Sequence, residues 1–191
     1  MANKDPWPTK RVSAGAPSKV NVADFQMVLD VATDERPLQS FLASVPALFR
    51  PMLFAAPDFW CFDRPKFGAE LIPDFLLCFR NSTGFNWVLI ELESPLAPPL
   101  TAAGRPAKAL SGAQGQVRDW RGWLRDNVAY ARTQLGLTDI HAECPAWIVV
   151  GRRAHIDPKH SKKWADLSDN TDMVMTYDRI AECATTLAPI L

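Results

Sequence analysis

Two common routes to a metal or redox centre are missing from this sequence. Its four cysteines, Cys61, Cys78, Cys144 and Cys183, are widely spaced and form no C-x-x-C pair, which excludes a zinc knuckle or dithiol motif and leaves them as buried thiols. Its three histidines, His141, His155 and His160, form no metal-ligand pattern with nearby carboxylates or Cys144, and are read as structural or surface groups. No apolar run approaches the ~20 residues a membrane span needs. The first twenty residues are polar and proline-containing, without the charged-then-apolar order of a secretory leader. A cytoplasmic protein with no membrane partner is therefore expected. Net charge is absent too, since 21 Lys and Arg offset 21 Asp and Glu. The total points to no polyanionic partner, yet does not exclude one, because a nucleic acid needs only a local basic stripe.

What is present is globular material. With 48% hydrophobic and 22% charged side chains the chain is not disordered, collagenous or of low complexity, and 191 residues suffice for one domain with a real core. Pro6, Pro8, Gly15 and Pro17 mark residues 1–20 as an arm or loose extension, and the division expected is an N-terminal extension over 1–30 and a domain over 31–191. Residues 22–31 are apolar at several spacings and fit helix or strand. Asp34 as cap, Pro37 in the first turn and Leu38, Phe41, Leu42 and Val45 at i, i+3, i+4 and i+7 predict an amphipathic helix ending near Pro46.

Short apolar runs then predict strands over 59–62, 72–80 and 86–93, the last two joined as an antiparallel hairpin by Asn81-Ser82-Thr83-Gly84. Residues 94–106 form a long proline-rich loop, of the kind that serves as a lid or contact loop. Leu110, Ala113, Val117, Trp120 and Leu124 give residues 107–134 a helical apolar face. A buried strand over 146–151, a short basic helix over 159–165, a strand over 173–176 and a closing helix over 177–187 complete the order. No internal repeat is visible. The fold class predicted is α/β, a central mixed β-sheet flanked by helices.

The hairpin carries the chemistry. Asp74 lies near the start of one strand, and Glu91 and Glu93 near the end of the next; pairing brings these ends side by side, with Glu91 and Glu93 two apart on one face. Three carboxylates so gathered repel one another unless a cation joins them, and an all-oxygen set suits Mg²⁺ or Mn²⁺. The competing reading makes Glu93 a strand-end surface charge and Asp74 a polar partner. Gln116 and Trp120, four apart on the following helix, are placed to present an amide and an indole toward the strand ends, or to pack in the core. Basic residues cluster at Arg118, Arg121, Arg125 and Arg132, and again at Arg152, Arg153, Lys159, Lys162 and Lys163. On charge alone these are solvated faces as readily as contacts.

Taken together, Ile72-Pro73-Asp74-Phe75-Leu76-Leu77, then Trp87-Val88-Leu89-Ile90-Glu91-Leu92-Glu93-Ser94-Pro95, then Ala113 and Gln116-x-x-x-Trp120, resemble the PD-(D/E)XK nuclease core. More closely, they resemble the nuclease domain of the Shedu anti-phage defence proteins. Asp34-Glu35-Arg36-Pro37-Leu38, Gly68-Ala69-Glu70 and Tyr177-Asp178-Arg179-Ile180 are similar to that family's opening helix, lead-in and closing motif, so the likeness spans roughly residues 33–185.

The resemblance implies a restriction-endonuclease-like core and metal-dependent hydrolysis of a DNA phosphodiester, in a homo-oligomer. It implies Asp74 and Glu91 as ligands of Mg²⁺ or Mn²⁺ with the Leu92 carbonyl completing the shell, and Gln116 orienting water or phosphate. Glu70 is an outer ligand or a structural salt-bridge partner, and Lys108, Arg118, Arg121 and Arg125 are the nucleic-acid-binding candidates. One position departs from the pattern, because the usual lysine is Glu93. That carboxylate binds a second cation, acts as general base, or leaves the missing cation to Lys108; otherwise the domain is a catalytically silent nucleic-acid-binding or assembly module.

Overall fold

Side-chain alternation along two long strands decides the architecture. In the computed structural model, which describes residues 5–12, 15–53, 59–69, 71–168 and 171–187, β3 (Phe75–Asn81) and β4 (Gly84–Leu92) pair antiparallel from Phe75 opposite Ile90 to Asn81 opposite Gly84. The turn is set locally, since Asn81 Oδ1 accepts from the Thr83 amide at 2.8 Å and Gly84 takes φ +120°. Away from the turn, over residues 75–78 and 87–92, both strands are buried on both faces. Phe75, Leu77, Val88, Ile90 and Leu92 enter one hydrophobic layer, and Leu76, Cys78, Trp87 and Leu89 the other.

Around this hairpin the sheet has six strands in chain order. β1 (Arg11–Val12), β2 (Phe59–Asp63), β3 and β4 are antiparallel neighbours; β5 (Ala146–Val149) and β6 (Asp172–Met175) continue the sheet in parallel. The α1 (Lys19–Val31), α2 (Arg36–Ser44) and α5 (Tyr177–Leu187) helices, with a 3-10 segment Pro46–Met52, cover the first layer. The long α3 (Lys108–Thr133) covers the second through Leu110, Ala113, Val117, Trp120 and Leu124, the stripe its periodicity predicts. A short α4 (Ser161–Ala165) joins that side. The mixed sheet with flanking helices is thus as expected. All four cysteines are free, and burial pushes the Cys61 thiol up to about 12 and that of Cys144 to about 11.

The N-terminal stretch corrects the expectation of a loose arm. Trp7 meets the rings of Trp60, Phe62, Phe85 and Trp87 edge-on at 5.1–5.7 Å, and Asp5 Oδ1 accepts from the Trp60 indole at 2.9 Å. The ambiguous 22–31 segment is helix α1. Ser18 Oγ accepts from the Asn21 amide while Asn21 Oδ1 accepts from the Ser18 amide, and Phe25 and Leu29 are buried. The 94–106 loop is fastened at its tip: His160 Nε2 bonds the Ala102 carbonyl at 3.0 Å, and Lys163 Nζ donates to the Ala103 carbonyl at 3.0 Å. At the β6 edge, Ser168 Oγ accepts from the Val174 amide at 3.0 Å and donates to the Val174 carbonyl at 3.3 Å.

Gly151 is the tightest joint. Its φ is +64°, and a Cβ there would stand 2.4 Å from the Ala97 carbonyl oxygen. Gly151→Ala combines left-handed strain with displacement of the loop that follows β4, and is expected to lower stability by at least about 2 kcal/mol in urea titration.

Candidate active site

The site is the point where α3 passes over the ends of β3 and β4. One step beyond the Phe75–Ile90 pair, the register sets Asp74 opposite Glu91. Alternation sends Asp74, Glu91 and Glu93 to the α3 side, while Phe75, Ile90 and Leu92 fill the other layer. Asp74 Oδ2 accepts from the Leu92 amide at 2.8 Å, which latches the aspartate to β4. Glu91 is 6% exposed, and its Oε1 accepts from Gln116 Nε2 at 2.5 Å. One turn earlier on α3 sits Gly112, where a Cβ would lie 4.0 Å from Glu93 Oε1. From beneath, the buried Tyr177 at the start of α5 donates its hydroxyl to the Glu93 carbonyl at 2.8 Å.

These acids are crowded, with Glu91 buried and Asp74 and Glu93 half-buried. Burial first, then the charges of Asp74 and Glu93, pushes the Glu91 carboxyl up to about 9, against a smaller opposing effect of the Gln116 hydrogen bond. Burial, then Glu35 and Asp74, raises Glu93 to about 7. Burial raises Asp74 as well, partly offset by the Leu92 amide and Arg64. Glu35, just before α2, is the residue sequence reasoning missed: its charge acts on Asp74, Glu91, Glu93 and Tyr177 alike. Its sequence signals were its place in the string Asp34-Glu35-Arg36-Pro37-Leu38, which marks a helix opening and no site role, and a second acid beside Asp34, which reads equally well as an ordinary helix-start charge.

The donor chemistry suits a hard divalent cation. Asp74 Oδ1 and Glu91 Oε2 accept no hydrogen bond from the described residues, and a positive ion would offset the burial, and the smaller effect of nearby acids, that raise all three carboxyl groups. Among the described residues no three histidine, cysteine, aspartate or glutamate side chains are placed to hold an ion together. An ion here would rest on two carboxylates with main-chain or water oxygens.

Not every expected residue joins this cluster. Asp74, Glu91, Glu93 and Gln116 do, and Leu92 joins through its backbone. Trp120, 1% exposed, belongs to the core and presents no indole to the strand ends. Glu70 lies outside the described residues. The arginines stand elsewhere: on a helix of 3.6 residues per turn, Arg118, Arg121 and Arg125 lie roughly half a turn around α3 from Gln116. Arg121 spans to Asp172 and the Cys144 carbonyl, Arg125 pairs with Glu143 at 3.6 Å, and Arg118 is exposed. Lys108 is nearer the acids. With Glu93 it lines a groove of about 660 Å³ walled by Ala97, Pro98, Ala107, Ala109 and Gly112.

No helix among the described residues is long and apolar enough to cross a membrane. Residues 32–180, most of the chain, match the family model described as Shedu protein SduA, C-terminal. No curated protein matches the chain.

Proposed function

Because the chain belongs to the Shedu family, in the class of SduA C-terminal domains, we propose that it is a metal-dependent DNA endonuclease with a restriction-endonuclease-like, PD-(D/E)XK core. Family membership suggests anti-phage defence, and the setting that fits is a bacterial cytoplasm, with the chain acting as a homo-oligomer. One observation carries the hydrolytic reading: Asp74 and Glu91 stand opposite each other at the ends of paired strands, Asp74 half-buried and Glu91 buried, with one oxygen of each accepting no hydrogen bond from the described residues.

In this reading Asp74, Glu91 and the Leu92 carbonyl would hold Mg²⁺ or Mn²⁺. Such an ion supplies charge neutralisation at the phosphoryl oxygens and acidifies water. The chain's own groups do the rest. The Leu92 amide fixes Asp74, and the Gln116 amide fixes the Glu91 carboxylate beneath the space the scissile phosphate would enter. Glu93, with its carboxyl at about 7, is suited to take a proton from the attacking water near neutral pH. That role differs from the charge stabilisation which a lysine at this position would provide, and leaves the latter to the cation.

A second reading, a silent DNA-binding or assembly module, draws on the hydrogen bonds that already engage Asp74 and Glu91. Incubation of supercoiled and linear DNA with purified protein, with Mg²⁺, Mn²⁺ or chelator, separates the two. Metal-dependent nicking that disappears in Asp74→Ala and Glu91→Ala is the expected result. Binding without cleavage by the parent protein would favour the silent module.

A further inference from the structure

Resting on the DNA-substrate reading above, we propose that the groove between the 94–106 loop and the start of α3 receives the nucleic-acid backbone beside the scissile phosphate. Lys108 contacts a phosphate there, and the arginine stripe of α3 does not take part.

The groove is built by one helical face. Lys108, Gly112 and Gln116 follow at i, i+4 and i+8, so they stack along one side of α3. Gln116 reaches Glu91, and the first neighbour that a Cβ at Gly112 would meet is Glu93 Oε1 at 4.0 Å. The missing side chain at Gly112 therefore leaves the groove open from the rim, where Lys108 stands, to the Glu93 carboxyl. The groove's volume, about 660 Å³, falls within the range of small-molecule sites. Ala97, Pro98, Ala107 and Ala109 bring no charge and little bulk to the walls. Such walls admit a sugar-phosphate chain and offer no side-chain donors or acceptors to base edges, so contact here is independent of sequence.

Charge selects the cation. Glu35, Asp74 and Glu93 oppose the approach of a polyanion, and Lys108 is the one basic side chain among the groove's lining residues. It is exposed, and no ion pair or hydrogen bond among the described residues commits its ammonium group. Arg121, by contrast, already binds Asp172 and the Cys144 carbonyl on the far flank of the helix.

The test measures binding rather than turnover, using Glu91→Gln protein to prevent hydrolysis, with short single-stranded and duplex DNA across a salt series. Adding Lys108→Met is expected to weaken binding on the order of tenfold at low salt. It should also reduce the slope of log affinity against log salt by about one, the value for one lost phosphate contact. Lys108→Arg should preserve both, and Arg118→Met should change neither. Gly112→Leu, which fills the groove there and leaves every charge in place, should weaken binding at an unchanged salt slope, with thermal melting confirming that the variant is folded. An unchanged slope in Lys108→Met, or a slope lost in Arg118→Met instead, overturns the assignment. The two readings fail separately: Lys108-dependent binding by a parent protein that never cleaves supports the groove and removes the hydrolase, whereas cleavage with Lys108-independent binding does the reverse. No DNA binding at all overturns the groove.

Discussion

Glu91→Gln is expected to melt higher than the parent protein at pH 8 without divalent cation, and to lose metal-dependent cleavage by at least about 10²-fold. Both effects have one cause. In the folded chain burial and the neighbouring acids hold the Glu91 carboxyl near 9, against an ordinary value of 4.5. A carboxyl raised in this way favours folding in its neutral form. Its contribution is complete below pH 4.5 and is lost steadily as the pH climbs from there to about 9, because the unfolded chain ionises first. At pH 8 the parent forfeits roughly 2–4 kcal/mol through this one group, since each pH unit above 4.5 costs about 1.4 kcal/mol before relaxation of the surroundings reduces it. Glutamine keeps an oxygen for the Gln116 amide and never ionises. The variant's melting temperature should accordingly exceed the parent's by a margin that widens between about pH 5 and 9. Mg²⁺ should raise the parent and leave the variant unmoved, since a cation bound only by the native state stabilises it. Equal melting of the two proteins at pH 8, read by circular dichroism, would show that Glu91 is no strained acid.

Arg121→Met has the opposite sign and a structural origin. The guanidinium donates to both carboxylate oxygens of Asp172, at 2.5 and 2.8 Å, and to the Cys144 carbonyl at 2.7 Å. Asp172 Oδ1 also accepts from the Ala146 amide, so one ion pair ties α3 to the first residues of β5 and β6. The pair is largely buried, with side-chain exposures of 16% and 26%. Removing the arginine takes this cation and its two hydrogen bonds from the half-buried Asp172 carboxylate. A loss of about 2–3 kcal/mol is expected in urea unfolding, toward the lower end of what a broken buried pair costs. The reason for the lower end is that the buried Arg121 Nε finds no acceptor among the described residues, and methionine removes that group. Arg118→Met, on the exposed turn beside it, should leave unfolding unchanged. A stable Arg121→Met protein with weakened DNA binding would instead restore this arginine to the nucleic-acid contacts that its helical stripe suggested.

The parts of this molecule that could be read from sequence are those decided within a few residues. The turn at Asn81 to Gly84 sets the hairpin register, and counting back from it places Asp74 against Glu91. The period of Leu110, Ala113, Val117, Trp120 and Leu124 sets the buried side of α3. What escaped depends on distant partners. Helix α1 looked ambiguous because apolar residues lie on two of its sides: Phe25 and Leu29 point inward, while Val20, Met27 and Val31 remain 67%, 61% and 77% exposed. Trp7 looked like part of a loose arm because the four rings that receive it come from β2 and β4. Glu35 is separated from Asp74 by α2 and β2, and from Glu91 by β3 as well, and nothing local distinguishes it from a helix-start charge. The arginines of α3 formed a visible stripe, but which flank faces the acids is decided by how the helix crosses the sheet.

The hydroxyl of Ser168 bears on how copies of this chain can associate. By bonding both the amide and the carbonyl of Val174, it occupies the outward main-chain groups at the middle of the last strand. At the opposite edge, β1 is only two residues long. A sheet finished in this manner offers a neighbouring chain no main-chain ladder at Val174 to extend, which guards against open-ended fibrous stacking. With the edge closed at Val174, side-chain packing between helical or loop surfaces is the favoured route to assembly, and a closed symmetric ring or pair its natural outcome.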